Sequence, residues 1–74
     1  MEPTRDIMTI VGSNVKRYRE EAGYSQSYLG GCFGATSSRI KMIEGGMADF
    51  KLSTLAKLAL HLDVKVIDLV EDWE

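Results

Sequence analysis

Glycines and capping residues cut this chain at such short intervals that it has no room for a long helix. Apolar residues recur at three- and four-residue steps, and the pattern stops at Gly23, at Gly34, at Gly45-Gly46 and at Asp63. Steps of that size mark one face of an α-helix, and glycine just beyond the last periodic residue is a common C-terminal stop. The spacing therefore predicts several short helices joined by tight turns.

The first helix carries Ile7, Val11, Val15, Tyr18 and Ala22 on one face, with Lys16, Arg17, Arg19, Glu20 and Glu21 on the others. After Gly23, Ser25 is placed to cap a second helix running from about Gln26 to Phe33, with Tyr28, Leu29, Cys32 and Phe33 toward a core. Gly30 and Gly31 fall inside it, each at a cost of roughly 0.5–1 kcal/mol relative to alanine. Such a cost suggests a close approach by a neighbouring helix, which accounts for one of the pair and not for both.

Gly34 makes the next turn and Thr36 caps a third helix, which Ile40 and Ile43 anchor inward and Gly45-Gly46 end. Leu52, Leu55, Leu58, Ala59 and Leu62 give a fourth helix from about Lys51 to Leu62. The stretch "VKVIDLVEDW" suits a short fifth helix, although the alternation of Val64, Val66 and Asp68 equally suits a strand; the helix is preferred. The expected fold is all-α, with five short helices in one domain over residues 1–74.

Composition excludes several classes of function. The single cysteine, Cys32, precludes an intrachain disulfide and a CxxC metal pair, and fits a reducing, cytoplasmic setting. No apolar run approaches the roughly 20 residues that cross a bilayer, and "MEPTRDIMTI" lacks the charged-then-apolar order of a signal peptide. A soluble cytoplasmic protein is expected. Paired carboxylates, metal-ligand spacing, a nucleophile elbow and a phosphate loop are all missing, so no catalytic residue, metal or cofactor is expected. His61 reads as a partly exposed helix residue and Cys32 as a small core residue.

The formal charge of −2 is unevenly distributed. From Asp63 onward five acids face one base, so the acidic segment is 63–74 and the preceding 62 residues carry a net +2. A local basic face can bind phosphate whatever the global balance.

From Val11 to Val70 the order of motifs resembles the Cro/C1-type helix-turn-helix domain, also called the XRE family. The segments that carry the resemblance are "VGSNVKRYREEAGYSQSYLG", "GATSSRIKMIEGG" and "LSTLAKLALHLDV". It implies a lambda-repressor-like DNA-binding domain whose motif spans about 26–45. It further implies a sequence-specific transcription regulator, a homodimer on double-stranded DNA with a near-palindromic operator. In such a motif the first helix crosses the DNA backbone and the second enters the major groove.

Residue by residue, Gln26 is similar to a phosphate-binding glutamine, and the Thr36 hydroxyl can reach a phosphate. Ser37, Ser38, Lys41 and Met42 match the base-reading positions. Arg39 either pairs with a guanine or holds phosphate. Arg19 and Glu44 are implied as a structural ion pair. Val66, Val70 and Trp73 are candidates for an interface. The loop after the third helix, Met47 to Phe50, departs from the family in lacking basic residues, leaving Lys51 as its only positive charge and making phosphate contact there thinner. The alternative reading is an antitoxin or other protein-binding module, in which the acidic C-terminal segment and Trp73 reach a partner protein.

Overall fold

The computed structural model describes residues 6–72 and contains five α-helices: α1 (Ile7–Glu21), α2 (Gln26–Cys32), α3 (Ser37–Glu44), α4 (Leu52–Leu62) and α5 (Val66–Val70). No strand occurs among the described residues: within 64–70, Val66–Val70 is helix, and Val64 and Lys65 lead into it. Trp73 lies outside the described residues.

Local chemistry explains the boundaries. The Ser25 hydroxyl accepts a hydrogen bond from the Tyr28 amide at 2.9 Å, and the Thr36 hydroxyl accepts one from the Arg39 amide at 3.1 Å. Each satisfies one of the amides that a helix start leaves unbonded. Gly34, between α2 and α3, has φ +76°, a left-handed conformation that side chains disfavour. At α5 the N-cap is Lys65, whose side chain has no acceptor. The Asp68 carboxylate instead accepts from the Lys65 amide at 2.9 Å, the returning half of a capping box.

α1 is central: it packs against α3, α4 and α5, while α2 packs on α3 and α4 on α5. Val11 and Val15 of α1, Leu29 of α2, Ile40 and Ile43 of α3, Leu55, Leu58 and Leu62 of α4, and Leu69 of α5 fill the core. Tyr18, Tyr24, Phe33, Phe50, Val64 and Val70 pack around it.

Several apolar residues with the right spacing lie outside that core. Ile7 and Leu52, in the first turns of α1 and α4, are exposed, with no helix among the described residues covering them; Ile10 is buried where Ile7 was expected. Tyr28 is also exposed, its ring set against Tyr24 at 4.7 Å.

Among the described residues one polar side chain, Asn14, is buried in the apolar interior. Its amide donates to the carbonyls of Leu69 at 2.9 Å and Glu71 at 2.7 Å. Two carbonyls at the end of α5, which the helix itself leaves unbonded, thus find a donor on α1. This tether holds the shortest helix in place.

Two glycines permit close packing. A Cβ on Gly12 would lie 2.3 Å from the Ile43 carbonyl oxygen and 2.9 Å from that of Glu44, so α1 runs directly against the end of α3. A Cβ on Gly30 would come within 2.9 Å of the Thr36 carbonyl oxygen, so α2 presses against the start of α3. Gly31 has nothing within 4 Å of the same added atom. Of the doublet, only Gly30 serves the packing.

Candidate nucleic-acid interface

α2, the Gly34 turn and α3 form the helix-turn-helix, and α1 sets the orientation of α3 from behind. The connection is ionic as well as steric. Arg19 of α1 grips the Glu44 carboxylate with two nitrogens, Nε to Oε2 and Nη2 to Oε1, the latter at 3.0 Å. Its remaining Nη1 donates to the Tyr24 carbonyl at 2.8 Å. Hydrogen bonding to Glu44 is the main cause that raises the Arg19 pKa; burial opposes it, and the negative charge of Glu44 adds to it.

Gln26 joins this network. Its Nε2 donates to Glu44 Oε1 at 3.1 Å, so one carboxylate orients the first residue of α2 and the last turn of α3 together. An amide nitrogen carries two donors, so one remains for a further acceptor. Sequence reasoning anticipated Gln26 and Glu44 separately. Their contact depends on how the two helices cross, which residue spacing does not encode.

The face of α3 away from the core consists of Ser37, Ser38, Lys41 and Met42, all exposed, with Thr36 exposed at the cap. Positions one, two, five and six of a helix share one side, opposite Ile40 and Ile43. Lys41 and Met42 also border a shallow groove with Lys16, Gln26, Glu44 and Met47. That groove places two ammonium groups beside the exposed surface of α3.

Arg39 is placed differently. It is half-buried at the edge of the face, and its Nη2 donates to the Asp49 carbonyl at 2.9 Å. Together with Asp49, Phe50, Lys51 and Thr54 it lines an open cleft beside the loop that follows α3.

The remaining candidates are dispersed. Val66 is exposed on α5 and Val70 packs against the core. His61 of α4 stacks on Phe33 at 6.1 Å, and Cys32 is a half-buried free thiol. Among the described residues, no group of three or more histidines, cysteines and acids is placed to hold a metal ion, and no helix is long and apolar enough to cross a membrane.

No family model matches the chain, and neither does any curated protein. Solved structures do. A crystal structure of a hypothetical transcription factor from Neisseria superposes with a TM-score of 0.87 at 23% identity, covering 99% of this chain and 85% of that one. The restriction-modification controller protein C.AhdI from Aeromonas hydrophila superposes with a TM-score of 0.78 at 27% identity, covering 84% of this chain and 90% of that one. The chain has the five-helix, lambda-repressor-like helix-turn-helix fold of transcription regulators, in keeping with its Cro/C1-type resemblance.

Proposed function

We propose that this protein is a sequence-specific DNA-binding transcription regulator that acts as a homodimer on a near-palindromic operator. The observation that carries the reading is the exposed face of α3. Ser37, Ser38, Lys41 and Met42 project from a capped helix that Gly12, Gly30 and the Arg19–Glu44–Gln26 network hold against α1 and α2. A helix so braced presents its side chains to the major groove in a fixed register.

The chemistry suits each role. Lys41 donates to guanine O6 or N7, the serines bond to any base edge, and Met42 packs on a thymine methyl. Gln26 and Thr36 stand at two helix starts, where free amides and the helix dipole favour a phosphate oxygen. Dimerisation supplies the affinity that so small a reading face lacks, with half-sites about 34 Å apart, one helical turn of DNA. The exposed apolar side chains Leu60, Val66 and Ile67, on α4 and α5, lie on helices that do not form the reading face and support self-association there. The C.AhdI likeness extends the reading to control of an operon, by occupation of promoter DNA.

Selection from a pool of random duplexes, followed by titration at two salt concentrations, tests the reading. Enrichment of a near-palindrome whose affinity falls with salt supports it. A pool with no sequence enriched at low salt refutes it.

A further inference from the structure

Two of the three methionines among the described residues stand in water, which is unusual for so apolar a side chain. Met42 is 47% exposed on α3, and Met47, three residues beyond the end of that helix, is 77% exposed. Both line the same shallow groove, together with Lys16 and Lys41. Met8, in the first turn of α1, is half-buried. Neither exposed thioether belongs to the core, so packing gives no reason for sulfur at either position.

We infer that Met42 is a modification site: a hydroperoxide oxidises its thioether to the sulfoxide, and the modified protein leaves its DNA site. The inference rests on the regulator reading above. A sulfur lone pair attacks one oxygen of the peroxide, and the S–O bond forms as the O–O bond breaks. Sulfur gives up two electrons and the peroxide accepts them. The proton on the transferred oxygen passes to the leaving oxygen, which departs as water or an alcohol. The reaction needs access for the oxidant, which this face supplies and partial burial restricts at Met8.

Placement decides what the product does. Oxidation turns a flexible apolar side chain into a polar one. At Met42 the change falls within the four-residue face that meets the bases. A thioether packs on a thymine methyl, but that methyl offers a sulfoxide oxygen no donor, and thymine O4 and guanine O6 and N7 only accept. Met47 lies outside α3 and outside that face, so the same chemistry there leaves binding intact. Met47 registers the oxidant, and Met42 converts it into release of DNA.

Wild type, M42L, M47L and C32A are each titrated against the enriched duplex before and after graded hydrogen peroxide. Peptide mass spectrometry follows oxidation at every methionine. We expect Met42 and Met47 to oxidise ahead of Met8. Once Met42 is converted, wild type, M47L and C32A lose affinity by roughly tenfold or more, the scale of one mismatched base pair. M42L keeps the affinity of its own untreated form, and methionine sulfoxide reductase restores the wild type. A measurement that needs no variant accompanies these: in a partly oxidised wild-type sample, Met42 sulfoxide collects in the unbound fraction.

Equal Met42 sulfoxide in bound and unbound fractions overturns the inference, as does a loss in M42L equal to that of the wild type. Resistance to peroxide in C32A assigns the effect to the thiol, and resistance in M47L assigns it to the loop; either overturns the assignment to Met42. Met8 oxidising first overturns the access argument. An untreated wild type that binds no duplex overturns the regulator reading itself, an outcome distinct from the others.

Discussion

Replacing Gly12 with alanine adds a single methyl group at the tightest contact between α1 and α3. The added carbon would lie 2.3 Å from the Ile43 carbonyl oxygen and 2.9 Å from the Glu44 carbonyl oxygen. Ordinary contact for such atoms begins near 3.4 Å, so the two helices must separate by about 1 Å. Both obstructing atoms are backbone, so no rotamer change relieves the clash. Overpacking of this kind costs about 1–3 kcal/mol, and the upper end applies where side chains offer no relief. Alanine's better helix propensity returns up to about 1 kcal/mol. The net loss is about 2 kcal/mol, from a total of roughly 4–11 kcal/mol for a domain this size.

Urea denaturation followed by circular dichroism reads the difference. With an m-value near 1 kcal/mol/M for a small domain, the G12A midpoint falls by about 2 M at unchanged slope. G31A is the internal control. Its methyl meets nothing within 4 Å, so propensity alone acts and the midpoint rises by roughly 0.5–1 M. A G12A midpoint equal to or above that of the wild type would refute the packing argument.

Other perturbations follow from the same contacts. Asn14→Ala leaves the Leu69 and Glu71 carbonyls without their donor, which costs about 1–3 kcal/mol and accelerates hydrogen exchange in α5 before the rest of the domain. Glu44→Ala strands the mostly buried Arg19 charge; a loss of about 3 kcal/mol is expected, with lower DNA affinity from the released Gln26, and denaturation and titration measure the two separately. Electrostatic repulsion from Cys32, and then from Tyr24, disfavours the Tyr28 phenolate and raises its pKa above the ordinary tyrosine value. Because the folded value is the higher one, any stability linked to Tyr28 is intact below the ordinary tyrosine range and is lost as pH climbs through the raised value. Cys32→Ala should bring that ionisation to lower pH in an absorbance titration, and an unmoved curve would contradict the assigned cause.

The parts of this molecule legible in its sequence are those whose causes are local. Ser25 and Thr36 cap helices because their hydroxyls reach an amide three residues on, a distance the chain itself defines. Gly34 breaks the pattern where the backbone turns left-handed. Ile40, Ile43, Leu55, Leu58 and Leu62 declare their faces by spacing.

What the spacing hides is where a neighbour ends. Ile7 and Leu52 have the right period, yet both are exposed in the first turns of their helices. Gly30 and Gly31 look alike in sequence, and only the position of the Thr36 carbonyl separates them. Arg39 bonds to a backbone carbonyl, a group every residue possesses, so its turn toward the loop leaves no mark in the sequence. Gly12 lies inside an amphipathic helix just as Gly31 lies inside α2, and only the carbonyls of Ile43 and Glu44 give it a role that Gly31 lacks.

We propose that the face of Ser37, Ser38, Lys41 and Met42 lies in the major groove of DNA. Methylation interference on the enriched duplex tests it most directly, because methyl groups at guanine N7 block the major groove and those at adenine N3 block the minor groove. Interference is expected at guanine N7 in each half-site, weakened at one base pair per half-site in K41A. Interference confined to adenine N3, or a pattern that K41A leaves untouched, would contradict it.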